Sequence, residues 1–255
     1  MYDMATIGIM DSGVGGLSVF REIRKLLPSE HYVYYSDSAN CPYGEKDPEF
    51  IRSRCREITR TMLSKGASAM VIACNTATAA AITALRSEFS IPFIGMEPAV
   101  KPAALGTRTG TIGVLATAGT LKGSNYLKLK HGVQDGIRVV EHVGRGFVEL
   151  VERGELDGPS AEETVSRSLQ PLLAEGADII VLGCTHYPFL LPLLQRIAGP
   201  GIRFIDPAPA VARHLLDLLE QNGIGRSDAL PDIELLGSGD PVQLRNSYRI
   251  LIGGQ

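Results

Sequence analysis

The chain has 255 residues, a net charge of −3 and 44% hydrophobic residues, enough to bury one large core or two modest ones, of which an internal duplication favours two. With no basic run and no basic-aromatic interleaving, nucleic acid is excluded as the main partner, and no stretch approaches a membrane span. The N-terminus enters a strand within a few residues with no signal peptide, so a soluble cytoplasmic protein is expected.

Thr6 to Met10 predicts a strand, and the turn Asp11-Ser12-Gly13-Val14-Gly15-Gly16 feeds an amphipathic helix from about Leu17 to Leu27. Glycines there either let backbone N–H groups meet an anion such as a carboxylate or simply make a tight turn. The pattern matches neither the dinucleotide fingerprint nor the phosphate loop with its lysine. A second strand, His31 to Ser36, runs into the polar loop Asp37 to Gly44, which is placed either to close over a site or as a surface turn. Cys41 there shows no partner and reads as incidental, and Cys55, in the helical segment Pro48 to Lys65, reads as a packing residue.

Ala69 onward is a short apolar strand ending at Cys74-Asn75-Thr76, followed by an alanine-rich helix, Ala77 to Phe89. Cys74 just before a helix N-terminus is expected to have a lowered thiol pKa. The next strand ends at Glu97-Pro98, and Pro98 to Leu105 crosses to a strand at Thr111 to Leu115. Leu121 to His131 reads as a helix, Arg138 to His142 as a strand, and Glu149 and Glu152 fall on a short helix within Gly144 to Gly154. A helix at Glu162 to Glu175 and a strand at Ile179 to Leu182 lead to Gly183-Cys184-Thr185-His186-Tyr187-Pro188. The chain closes with a helix at Ala208 to Gln221, a strand at Ile233 to Leu236 and a helix at Val242 to Ile250.

Two of these passages repeat each other. Gly66 to Thr76 matches Gly176 to His186 at an offset of 110 residues, which superimposes Cys74 on Cys184. Ile91 to Val100 is echoed by Ile202 to Val211, and Ile7 to Gly13 by Ile112 to Ala118, which sets Thr117 opposite Ser12. Ordered similarity of this kind predicts a duplicated α/β unit: two pseudo-symmetric doubly wound domains with mainly parallel sheets and a site in the cleft between them. The expected limits are residues 1–97 plus about 210–255 for the domain of Cys74, and 98–209 for that of Cys184. The cysteines lack CxxC spacing and close pairing, which argues against a disulfide framework and a zinc site.

A lone activated cysteine suggests covalent catalysis, whereas two at equivalent strand ends suggest a thiolate taking a proton from one face of a carbon while a thiol supplies one to the other. His186, two residues from Cys184, is a candidate assistant. No pyridoxal lysine and no metal cluster is apparent, so no cofactor is expected.

The set Asp11 to Leu17, Pro42-Tyr43-Gly44, Cys74-Asn75-Thr76-Ala77, Gly183 to Pro188 and Gly239-Asp240 resembles glutamate racemase, over almost the whole chain. The resemblance implies interconversion of L- and D-glutamate for peptidoglycan, without cofactor or metal, by a homodimer. It implies Cys74 and Cys184 as proton donor and acceptor, Asp11 assisting Cys74, and Glu152 and His186 assisting Cys184. It gives Asp11, Ser12, Pro42, Tyr43, Gly44, Asn75, Thr76, Thr117, Thr185 and His186 the substrate. The chain departs at Gly144-Arg145-Gly146, where many members have a cysteine and a proline, and it lacks an N-terminal extension, so the regulation of extended members is not expected. The rivals are a racemase of the same superfamily acting on aspartate or another amino acid, and a non-catalytic two-domain amino-acid binding protein.

Overall fold

The structure is a computed structural model that describes residues 6–224 and 232–253. Residues 1–5, 225–231 and 254–255, which include both ends of the expected first domain, lie outside the described residues. The chain begins with β1 (Thr6–Asp11), α1 (Leu17–Leu26), β2 (His31–Ser36), α2 (Pro48–Ser64), β3 (Ala69–Ile72), α3 (Asn75–Glu88) and β4 (Phe93–Gly95). α4 (Val100–Gly106) then leads to β5 (Thr111–Ala116), α5 (Ala118–Lys122), α6 (Ser124–His131), β6 (Arg138–Val143), α7 (Phe147–Arg153) and α8 (Pro159–Ala174). β7 (Ile179–Gly183), α9 (Leu191–Ala198), β8 (Arg203–Ile205), α10 (Ala208–Gln221), β9 (Asp232–Gly237) and α11 (Pro241–Ile252) follow.

The strands form two sheets, ordered β4-β3-β1-β2-β9 and β6-β5-β7-β8, and every pairing is parallel. Read from β8, the second sheet repeats the order of the first four strands of the first. The last strand, β9, returns to the first sheet and pairs with β2, Tyr34 opposite Leu235. The central strands β1, β3, β5 and β7 are buried along their whole length, as expected of parallel strands covered by helices on both faces.

The repeated Gly-Ala step has a backbone cause. Gly66 and Gly176 have φ of 85° and 81°, each turning the chain from a helix end (α2, α8) into a strand (β3, β7). A side chain in this left-handed region costs about 1 kcal/mol.

Three differences from the sequence expectations have local reasons. The crossing after Pro98 contains a helix, α4. The helix expected over 121–131 is two helices separated at Gly123, which is extended (φ −67°, ψ 137°) and passes so close to α3 that a Cβ there would lie 2.8 Å from Ala79 Cβ. Finally, the interior is not two separate cores. One apolar cluster runs from Ile7, Phe20 and Leu215 to Leu172, Ile180 and Leu190, so the halves share it, while each half keeps a smaller cluster of its own.

Candidate active site

Both cysteines lie just beyond the carboxyl ends of equivalent strands, where open parallel sheets hold their ligands. Cys74 follows β3 as the N-cap of α3, and its sulfur accepts the Ala77 N–H at 3.4 Å. Cys184 follows β7 directly. They are 6% and 7% exposed and line one pocket with Ser12, Pro42, Tyr43, Gly44, Asn75, Thr76, Thr117, Thr185 and His186. The pocket is nearly shut, with a volume of about 10 Å³, room for about one water. No lysine or arginine lines it. Anionic groups there are left to hydroxyls, amides, the N-terminus of α3 and the His186 ring.

Each sulfur is backed by a short chain of polar groups. The Cys74 thiol lies 3.7 Å from Ser12 Oγ, and the Ser12 hydroxyl donates to Asp11 Oδ1 at 3.4 Å. Asp11, fully buried, also accepts the Gly13 N–H at 2.9 Å and the Thr185 hydroxyl at 2.9 Å. On the other side Cys184 Sγ lies 3.7 Å from His186 Nδ1, and His186 Nε2 lies 2.6 Å from Glu152 Oε1. Asp11 and Glu152 thus stand one layer behind the pocket wall.

Burial sets the charge states. Cys74 is pushed up to about 12 by burial and then by the Asp11 charge, and the helix N–H and Ser12 only partly offset this. The lowering expected from the helix N-terminus is therefore overturned: desolvation of a thiolate in a sealed pocket exceeds the pull of one helix end. Burial likewise raises the Asp11 carboxyl, despite the opposing His186 charge and two hydrogen bonds. For His186 burial acts to depress, but hydrogen bonds to Cys184, Cys41 and Glu152 outweigh it and hold the imidazolium well above the usual histidine range. Burial also opposes the Glu152 charge, yet His186 and the Val14 N–H keep its carboxyl below the usual value.

Hydrogen bonds join the two halves at this site. The Val14 N–H donates to Glu152 Oε1 (2.8 Å), the Ser18 hydroxyl to the Thr185 carbonyl (2.8 Å), and the Thr185 hydroxyl to Asp11; Thr76 and Thr117 share a bond at 2.8 Å. Gly13 and Gly15 make this approach possible, since a Cβ would sit 1.9 Å from Glu152 Oε1 and 2.3 Å from His186 Nδ1 respectively.

The loop carrying Tyr43 and Gly44 is pinned from behind. The buried Asp37 carboxylate accepts the Tyr43 hydroxyl at 2.5 Å and two guanidinium bonds from Arg54 at 2.8 and 3.0 Å. Sequence reasoning did not single out Asp37, Arg54, Thr120 or Val148. Thr120 and Val148 line the pocket, and Cys41, read as incidental, lies 3.8 Å from Glu152 Oε1. The spacing of Thr120 three residues after Thr117, both on the pocket side of α5, was the one local signal available.

Residues 7–215 match the family described as Asp/Glu/Hydantoin racemase. A glutamate racemase of Stutzerimonas stutzeri strain A1501 is 49% identical over 251 residues, covering 98% of this chain and 94% of the relative. Crystal structures of glutamate racemases from Escherichia coli and Bacillus anthracis superpose with TM-scores of 0.86 and 0.86 at 36% and 34% identity. The superpositions cover 97% and 98% of this chain and 95% of each of those. Two like α/β units with a site at their shared strand ends, and relatives of this kind over nearly full length, make the protein an isomerase of the racemase class. The chain belongs to the Asp/Glu/Hydantoin racemase family.

Proposed function

We propose that the protein interconverts L- and D-glutamate by moving a proton at Cα between Cys74 and Cys184, without a cofactor. The observation that carries this reading is the pair of cysteines in one pocket, each with its own relay to a carboxylate. The sulfur on one face of Cα accepts the proton as a thiolate. The thiol on the other face then donates its own, and the two sulfurs exchange protonation states. One turnover in the reverse direction, or exchange with water, restores them.

The carbanion between these steps requires stabilisation of the substrate carboxylates. Asn75 is suited to this: it is 3% exposed, lines the pocket, and both side-chain polar atoms lack a partner among the described residues. Ser12, Thr76, Thr117 and Thr185 add hydroxyls, and Tyr43 and Gly44 close the wall. Asp11 serves Cys74 through Ser12, and Glu152 orients His186, which donates to negative charge on Cys184.

Glutamate is supported by the named relatives, and the Escherichia coli structure was determined with L-glutamate and the activator UDP-MurNAc-ala, which also supports a role in peptidoglycan synthesis. The same reading takes the protein as a cytoplasmic homodimer, in keeping with four free cysteines. It divides the chain into residues 1–97 plus about 210–255 and residues 98–209. Polarimetry of L-glutamate and L-aspartate in deuterated water tests the reaction. Loss of rotation with glutamate, insensitive to chelator, with solvent deuterium in the early product and little in recovered substrate, is expected. Rotation unchanged with glutamate, or label entering both pools alike, would overturn the substrate or the two-base step.

A further inference from the structure

Cys41 stands outside this chemistry yet shares a corner with two of its groups. Its sulfur, Glu152 Oε1 and a ring nitrogen of His186 all lie within 4.8 Å of one another. His186 is 2% exposed, while Cys41 and Glu152 are half-buried. A thiolate, an imidazole nitrogen and a carboxylate oxygen are the donors that Zn²⁺ and ions like it take, with water as a fourth ligand, and the ion gains the first two by displacing the Cys41 and His186 protons to water. Bonds of about 2.0–2.3 Å around a tetrahedral ion place neighbouring donors about 3.4 Å apart, so shifts of about 1 Å bring the trio to that spacing. A surface pocket of about 380 Å³, lined by Cys41, Glu149, Glu152 and Asp240 among others, gives a hydrated cation a path to the trio.

We propose that Cys41, Glu152 and His186 form an inhibitory site for a thiophilic divalent cation, with Zn²⁺ the best match. The donors come from both halves: Cys41 follows β2 of the first sheet, whereas Glu152 lies on α7 and His186 follows β7 of the second. A bound ion therefore ties the halves together while it occupies the imidazole and the carboxylate that back Cys184. Inhibition and stabilisation go together, and neither requires the ion to touch Cys74 or Cys184.

Binding is read without turnover, so the site stands or falls apart from the glutamate reading. Co²⁺ is titrated into the full-length protein, into Cys41→Ser and into Cys184→Ala, with circular dichroism as the check on folding. The wild type and Cys184→Ala are expected to develop thiolate-to-cobalt charge-transfer absorption, and Cys41→Ser is not. Zn²⁺ should raise the melting temperature of the wild type and not of Cys41→Ser, and half-inhibition in Cys41→Ser should need at least about ten times more Zn²⁺. No absorption in the wild type, absorption that survives Cys41→Ser, or absorption abolished by Cys184→Ala would overturn the proposal.

Discussion

The two thiols occupy equivalent places on equivalent strands, yet the groups behind them are different in kind. Behind Cys74 stand a neutral hydroxyl and a buried carboxyl whose pKa is raised, and the thiol itself is held protonated to about 12. Behind Cys184 stand an imidazolium held in its charged form and an ionised carboxylate. Duplication thus preserved the frame and the sulfur positions while the proton wiring diverged. A two-base racemisation needs a base on each face, and does not require that the bases be made alike.

Removal of either sulfur has the largest expected effect. Cys74→Ala and Cys184→Ala should each lower racemisation about 10,000-fold in both directions, since a carbanion formed on one side must be reprotonated from the other. Enantiomers have equal free energy in water, so kcat/KM for racemisation must fall equally both ways. Only an irreversible half-reaction separates the sides. The resemblance to glutamate racemase implies that Cys74 takes the proton from D-glutamate and Cys184 from L-glutamate, so on N-hydroxyglutamate, where abstraction alone leads to elimination, Cys74→Ala should spare the L analogue and Cys184→Ala the D analogue. Both variants keeping the same enantiomer would reverse or abolish the assignment of faces.

His186→Asn and Asp11→Asn probe the wiring rather than the sulfurs. His186→Asn should slow elimination from the L analogue about 100-fold and from the D analogue less than about tenfold, with Asp11→Asn showing the opposite preference. Equal losses on both analogues would mean that the two relays act as one network, joined through the Thr185 hydroxyl on Asp11.

The pH dependence sharpens the contrast further. The base form of Cys74 appears only as pH climbs toward about 12, so elimination from the D analogue should rise with pH across the neutral and mildly alkaline range, up to about tenfold per unit. In the proposed mechanism His186 works as the imidazolium, which is lost as pH rises through its raised pKa; elimination from the L analogue should therefore fall on the alkaline side. Parallel pH–rate profiles would contradict the unlike charge states.

The smallest effect is expected from Arg54→Lys. A lysine cannot reproduce the two-pronged contact with Asp37 that holds Tyr43 in the pocket wall. KM should rise about three- to tenfold with kcat nearly unchanged, which steady-state kinetics will show. A fall in kcat alone would assign Tyr43 to the chemical step.

Periodicity and repetition exposed much of this in the sequence. The apolar runs before Cys74 and Cys184 announced equivalent buried strands, and the Gly-Ala steps marked the left-handed turns at Gly66 and Gly176. What stayed hidden depended on contacts far apart in the chain. Cys41 meets Glu152 across 111 residues, and Asp37 meets Arg54 across 17, on another element. The Cys74 thiol was misjudged because a helix N-terminus is visible in sequence while the depth of its burial is not. The break at Gly123 arises from the closeness of α3, again a tertiary cause.

A cavity of about 10 Å³ has no room for an amino acid, so a substrate that binds between the cysteines must first part the seam, and the closed form then competes with binding. The measured dissociation constant is then the intrinsic one divided by the open fraction. Each hydrogen bond across the seam, from Val14 to Glu152 or between Thr76 and Thr117, contributes about 1 kcal/mol toward closure, a change of about fivefold in that fraction. Loosening the seam would ease entry of both enantiomers at once. It would also admit water to the carbanion, so the bonds that a substrate must break to enter are the ones that, re-formed over it, protect the intermediate from losing its stereochemical path.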